Sequence, residues 1–386
     1  MQIILEGLFN GLSIGAVLLI SALGLAIAFG LMGVINLAHG ELMMLGAYST
    51  FVVQNLFRSV GDSVFDFYIF AALPVAFVVA GLAGLVLERG VLRFLYGRPL
   101  ETLLATWGVS LILRQFVRSV SWQLVIAIAT FCILFFGGWV IASKRSDWPR
   151  LKNVALGIFL VLSGGIATLT GIALKGQDAL VKAWFSARNV DVTAPTWLRG
   201  GFPVGTFQLP YVRLFIIALT IICLIGTYIF LSKSSWGLRI RAVTQNRSMS
   251  ACLGIPTAKV DALTFALGSG LAGIAGCAIS LLGSVGPNTG QNYIVDTFMV
   301  VVVGGVGNLL GTVVAALGIG ILNYIIGSGV LALVLPPSEA VAPVVDTLNF
   351  FATTSMAKVL VFALIIVFLQ IKPAGIFPQK GRGVEL

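Results

Sequence analysis

Apolar residues run along this chain in blocks too long and too uniform for the half-buried elements of a soluble domain. Such blocks lie at 14–29, 67–87, 124–142, 154–174, 214–231, 262–282, 312–326 and 359–371. About 20 apolar residues cross the hydrocarbon core of a bilayer as a helix, so these blocks predict membrane spans. Shorter or interrupted blocks at 42–56, 103–113 and 293–303 add candidates. Together they predict an all-α, polytopic transmembrane bundle of about ten spans, some interrupted or re-entrant. Period-two alternation is absent, which argues against a membrane β-barrel.

The longest polar stretch, 175–210, contains Pro195, Pro203 and Pro210. A second, 335–354, contains Pro336, Pro337 and Pro343. Both predict irregular loops. The expected organisation is a single transmembrane domain over 1–386. Within it come N-terminal helices (1–120), an extra helical pair (121–175), an external loop (176–210) and C-terminal helices (211–386), the last with a polar loop at 232–260.

Composition sharpens this. The 386 residues are 58% hydrophobic and only 10% charged, against roughly 25% charged in a soluble domain. No room is left for a soluble catalytic domain. The net charge of +10 raises nucleic acid as a partner, but its distribution points to the bilayer. Lys and Arg gather at 89–98, 144–152, 233–259 and 372–382. The stretch 328–354 has Glu339 and Asp346 with no Lys or Arg, and 58–66 has one Arg and two Asp. Basic loops stay on the cytoplasmic side of a membrane. The N-terminus is therefore expected outside and the C-terminus in the cytoplasm, with 175–210 external and 293–327 crossing twice or re-entering. Arg114 and Arg118 fit that path least well. The first block is not expected to be a cleavable signal, since Glu6 precedes it without Lys or Arg and no small-residue cleavage site follows.

Candidate chemistry is sparse. The four cysteines, Cys132, Cys223, Cys252 and Cys277, have no metal or disulfide spacing. His39 is the only histidine, and with Glu41 alone beside it makes no metal site. Gly305-Val-Gly307-Asn-Leu-Leu-Gly311 lacks both the spacing and the strand–helix context of a dinucleotide fingerprint, and no P-loop is present. No cofactor, metal or catalytic set is expected.

Two glycine-interrupted segments stand out, one in each half: 29–47, containing Asn36, His39 and Glu41, and 303–312, containing Gly304, Gly305, Gly307 and Asn308. Such interruptions point to a transport path, because irregular backbone survives at membrane depth only inside protein or beside water. The plain alternative is two loops between short helices, with Asn36 capping the second helix and Glu41 in its positive first turn. The small-residue run 268–276 reads as a helix-packing face. In the basic loop, 241–253 predicts one short helix stopped by Gly254 and Pro256, either lying on the membrane surface or docking to a cytoplasmic partner.

Three ordered motifs carry a family resemblance. The first is GVINLAHGELMMLGAY at 33–48. The second comprises Gly237, Arg241-Ala242, Asn246, Ala251 and Leu253-Gly254-Ile255, followed by the glycine- and alanine-rich helix. The third is GGVGNLLG at 304–311. The chain resembles the permease subunits of ABC importers for branched-chain amino acids and urea. The stretches 189–198 and 286–296 look most like the urea permeases. The resemblance implies a non-catalytic permease of a bacterial inner membrane. Its implied partners are a second permease subunit, cytoplasmic ATP-binding subunits and an extracytoplasmic substrate-binding protein. Asn36, His39, Glu41, Gly304, Gly305, Gly307 and Asn308 are the expected path residues. Arg239, Arg241, Ala242, Asn246, Ala251, Leu253 and Gly254 are the expected coupling residues. The expected substrate is small, polar and uncharged, urea first and a branched-chain or other amino acid as the alternative. A secondary transporter or channel is the rival class; an intramembrane enzyme lacks a catalytic set.

Overall fold

A computed structural model of the chain describes residues 2–143, 148–174, 182, 184–185, 188–204, 207–330, 350 and 352–377. Lys144 and Arg145, most of 175–187, the Pro-rich stretch with Glu339 and Asp346, and the tail after 377 lie outside the described residues. The helices are α1 (Gln2–Met32), α2 (His39–Val60), α3 (Asp62–Phe65), α4 (Tyr68–Gly90), α5 (Pro99–Ser119), α6 (Trp122–Ser143) and α7 (Trp148–Ala173). After a hairpin of β1 (Gly201–Val204) and β2 (Phe207–Pro210) follow α8 (Tyr211–Lys233), α9 (Ser235–Gln245), α10 (Arg247–Cys252), α11 (Thr257–Ser280), α12 (Thr289–Gly304), α13 (Leu309–Gly327) and α14 (Thr354–Ile371).

Seven of these helices are long and apolar enough to cross a membrane, and Met356–Ile371 adds a shorter apolar helix. The remaining long helices, α2, α5 and α12, are the more polar or shorter ones expected from the interrupted blocks. The chain is thus a polytopic helical bundle. Two compact units divide it, Met1–Leu111 with Val190–Leu386, and Ile112–Asn189.

In the larger unit the centre is set by which helices are covered. About 83% of the α1 span and 78% of the α11 span are buried, against 28% for α4 and 22% for α8. Small residues make that burial possible. A Cβ on Gly268 would run into the Gly24 carbonyl, one on Gly273 into Ala76 of α4, and one on Gly276 into the Met43 carbonyl of α2. Lipid is as apolar as the helices, so association depends on close backbone approach instead of hydrophobic expulsion.

The contacts also reveal an internal repeat. The end of α1 lies by the basic loop, since the Thr244 hydroxyl donates to the Leu31 carbonyl at 3.2 Å. Yet α2 begins ten residues back along α1, with His39 Nε2 3.0 Å from the Ser21 carbonyl. At 1.5 Å per residue that is about 15 Å, near the middle of the span. From there α2 runs away from the basic end. In the other half, α11 leaves the basic loop, and α12 begins with Gly290 packed face to face on Gly40. It runs toward the basic end, where the Phe377 N–H donates to the Gly304 carbonyl at 3.3 Å. The triplets α1–α2–α4 and α11–α12–α13 are therefore related by inversion. Each long helix is followed by one restarting at mid-height, and α4 packs on α11 as α13 packs on α1. Inverted repeats of this kind, with binding at the midplane, recur in transporters.

One local expectation needs correction here. Part of 175–210 is ordered: Val190 pairs with Val285, a 3-10 turn covers Thr196–Leu198, and β1 pairs antiparallel with β2. Pro203 and Pro210 fit because a two-stranded ribbon has only edge strands. The segment seals the ends of α2 and α4, with the Tyr68 hydroxyl donating to the Thr193 carbonyl at 2.9 Å. Asp66 accepts from the Thr196 hydroxyl (2.5 Å) and the Thr196 N–H (2.8 Å). These bonds, the hydroxyl first, hold the Asp66 carboxyl below its ordinary value of 3.8. A carboxyl depressed on folding stabilises above its unfolded pKa and loses that effect as pH falls through the folded one. Protection of the Thr196 amide, taken relative to the intrinsic exchange rate at each pH, should therefore hold from neutral pH down to the ordinary carboxylate range and drop in a step below it. Asp66→Asn should abolish that step.

The smaller unit contains α6 and α7, packed on each other. Phe159 lies against Gly138, and the Gln123 amide donates to the Gly171 carbonyl at 2.5 Å. Trp122 and Trp184 meet edge-on at 4.9 Å. None of the α6 span is buried, and Phe136, Ile133 and Ile141 are exposed, as a lipid-facing helix requires.

Candidate functional site

The break between α1 and α2 is partly buried and held by hydrogen bonds within it and to α5, although the Asn36 side-chain nitrogen has no partner among the described residues. Gly33 takes φ +68, a conformation that favours glycine. The Asn36 side chain accepts from the Ala38 N–H at 3.0 Å. Asn36 thus folds the turn ahead of the helix, while Ala38 holds the cap position without a side-chain bond. The Leu37 N–H is received by the Thr106 hydroxyl of α5 at 3.2 Å. Glu41 accepts from the Ser110 hydroxyl, also of α5, at 3.0 Å. Asn36, His39 and Glu41 are each at most 2% exposed. They line protein interior at mid-height and do not face lipid.

The second glycine segment lies elsewhere, at the basic end. Gly305 and Gly307 have φ +99 and +85. A Cβ on Gly305 would meet the Phe377 backbone, and one on Gly30 the backbone of Gly307. The Ile376 N–H donates to the Val303 carbonyl at 2.8 Å, and the Asn308 side chain caps α13 by accepting from the Gly311 N–H at 3.2 Å. The two segments expected to share one path are thus separated by the lower part of α1.

The basic loop is two helices where one was expected. Asn246 turns extended and accepts from the Met249 N–H at 2.9 Å, ending α9 and starting α10. An Asn side chain that can cap competes with the helix it would otherwise continue. Ile240 and Val243 bury one face of α9 against Val260 and Leu31. Gly237 sits where a Cβ would hit the carbonyls of Phe230 and Leu231. The expected coupling residues mostly face outward: Arg239, Arg241, Asn246, Ala251, Leu253 and Gly254 are exposed and Ala242 half-buried. Gly254 has φ +80. Arg241, Thr244 and Gly307 line a cavity of about 350 Å³ beside the end of α1, so the basic loop and the second glycine segment do meet.

Comparison with known proteins gives this arrangement its family. Residues 7–369 match the family described as branched-chain amino acid transport system / permease component. The chain belongs to that family. It is 24% identical over 374 residues to the high-affinity branched-chain amino acid transport system permease protein LivH of Salmonella typhimurium, covering 96% of this chain and 94% of that one. The corresponding protein BraD of Pseudomonas aeruginosa is 25% identical over 82% of this chain and 84% of its own. The ribose import permease protein RbsC of Haemophilus influenzae is 28% identical over 54% of this chain and 74% of its own. No solved structure matches the chain.

The permease fold also exposes a linkage that the sequence did not reveal. Arg247 of α10 pairs with Asp261 of α11 at 2.6 Å and lies over the Tyr96 ring at 5.1 Å. The Tyr96 hydroxyl donates to Glu88 of α4 at 3.0 Å. Burial, with Glu88 next, pushes the Tyr96 hydroxyl well above its ordinary value, so it stays a donor. Four residues far apart in sequence thus tie the outermost basic helix to α11 and α4.

Proposed function

We propose that this chain is a non-catalytic permease subunit of an ATP-driven importer and that its substrate is an amino acid of the branched-chain type. It would form the path with a second permease subunit. Cytoplasmic ATP-binding subunits would drive it, docking on α9 and α10, and an extracytoplasmic binding protein would deliver substrate. The observation that carries the reading is the family match across 7–369, supported by relatives named for branched-chain amino acids that align over nearly the whole chain. The basic ends of the helices would face the cytoplasm, with the N-terminus outside. The break at Asn36, His39 and Glu41 would shape the path by fixing where α2 restarts. Gly304, Gly305, Gly307 and Asn308 would act through backbone form at the cytoplasmic end.

Urea, the narrower expectation from 189–198 and 286–296, has no support among those relatives. Those stretches have structural roles: Val190 bridges to Val285, and Gly290 packs on Gly40. Deletion of the chain from its host should lower uptake of labelled leucine at micromolar concentration by at least about tenfold and leave labelled urea uptake unchanged. The reverse pattern would overturn the substrate assignment.

A further inference from the structure

Between α1, α12, α13 and α14 lies a cavity of about 640 Å³, within the size range of small-molecule sites. Ile14, Val17 and Leu18 give it an apolar wall on α1. The facing wall is charged. Lys358 Nζ stands 2.9 Å from Asp296 Oδ2 and donates more weakly to the Asn292 carbonyl at 3.5 Å. The Asp296 side chain is 6% exposed and that of Lys358 39%, so the carboxylate is sunk in the wall while the ammonium reaches the open space.

Ionised groups on membrane helices are costly and usually mark a substrate or ion route. Packing here does not call for them. α12 approaches α13 through Gly304 and Gly311, and α14 approaches α13 where Ala357 lies against Gly327.

We propose that this cavity is a substrate site and that Asp296 and Lys358 form its clamp for the zwitterionic head of an α-amino acid. The proposal rests on the amino-acid reading above and adds where such a substrate is held. An amino acid carries its ammonium and carboxylate on the same carbon. Placed at the pair, its carboxylate takes the Lys358 ammonium and its ammonium takes the Asp296 carboxylate. Each charge exchanges one opposite partner for another, so the sunken Asp296 carboxylate is never left unpaired. The side chain then extends toward Ile14, Val17 and Leu18, a surface suited to an aliphatic group. Urea has no charge to offer and would leave the pair closed.

The test uses the complete importer, with both permeases, ATP-binding subunits and binding protein, in proteoliposomes. Asp296→Asn and Lys358→Gln should each lower leucine uptake by about ten- to a hundredfold, the scale of breaking one partner of a buried charged pair. The exchange Asp296→Lys with Lys358→Asp should recover part of it. A second measurement does not depend on those variants. In a chain freed of its four native cysteines, Asn323→Cys on the cavity wall should be shielded from a thiol reagent by leucine. Leucinol, without the carboxylate, and 4-methylpentanoate, without the ammonium, should not shield it. If the charge variants fail to assemble, shielding by leucine alone supports the site and its absence overturns it. Wild-type uptake by assembled charge variants, with no shielding, would reject the site while leaving the amino-acid reading intact. A wild-type complex that shows no leucine uptake would reject the reading itself.

Discussion

Ala251→Trp is expected to leave the importer able to assemble and hydrolyse ATP while cutting coupled uptake to about a tenth or less. Ala251 is exposed on α10, beside Leu253 at 76% exposure and Met249 at 60%. Apolar residues this open at the basic end suit a short helix seated in a partner's groove, and an indole there would unseat it. The following turn is fixed by Gly254 at φ +80 and by the Ile255 N–H donating to the Ser250 carbonyl at 3.0 Å. α10 should therefore move as a rigid tip. Its movement would reach the bundle through Arg247, paired with Asp261 on α11, one of the two most buried spans. Arg247→Ala should uncouple too, with the docking surface intact, and it leaves Asp261, 4% exposed, without that partner. Parallel assays of ATP hydrolysis and leucine uptake check both variants. Wild-type coupling ratios in Ala251→Trp would remove α10 from the coupling surface.

The second large effect is expected at the helix crossing in mid-membrane. Gly40→Val or Gly290→Val should destabilise the permease severely. A Cβ at either position would overlap the opposite backbone, and overpacking of a tight contact costs about 1–3 kcal/mol even where some relaxation is possible. Relaxation is restricted here. The start of α2 is tied to α5 through Leu37 and Thr106, and the start of α12 is tied by the Gly286 N–H donating to the Thr289 hydroxyl at 2.8 Å. Gly108→Ala is the control, because nothing lies within reach of a Cβ there. Thermal unfolding in detergent should show a large loss for the valine variants and little or none for Gly108→Ala. Equal stability of all three would mean that the crossing is looser than described.

How much of this was legible in the sequence depended on distance along the chain. The spans were legible because length and hydropathy act locally. The interruption at 33–38 was legible because Gly33, Asn36 and His39 stand in an otherwise apolar block. The break at Asn246 was not, since 241–253 has an unbroken helical pattern and only the capping bond of Asn246 divides it. The inverted repeat was invisible because its two halves are joined by Gly24 with Gly268 and Gly40 with Gly290, pairs that share little local sequence. Lys358 was passed over for the same reason. It is one lysine in an apolar helix, and its partner Asp296 is 62 residues away.

As proposed, this chain works as a membrane subunit of an ATP-driven importer for an amino acid. The most direct measurement is uptake of labelled leucine into proteoliposomes containing the permease pair and its ATP-binding subunits, with and without internal ATP and external binding protein. Accumulation only when ATP and binding protein are both present is the predicted result. Uptake driven by the permease chains alone, or by an ion gradient without ATP, would contradict the account and make the chain a secondary transporter or channel.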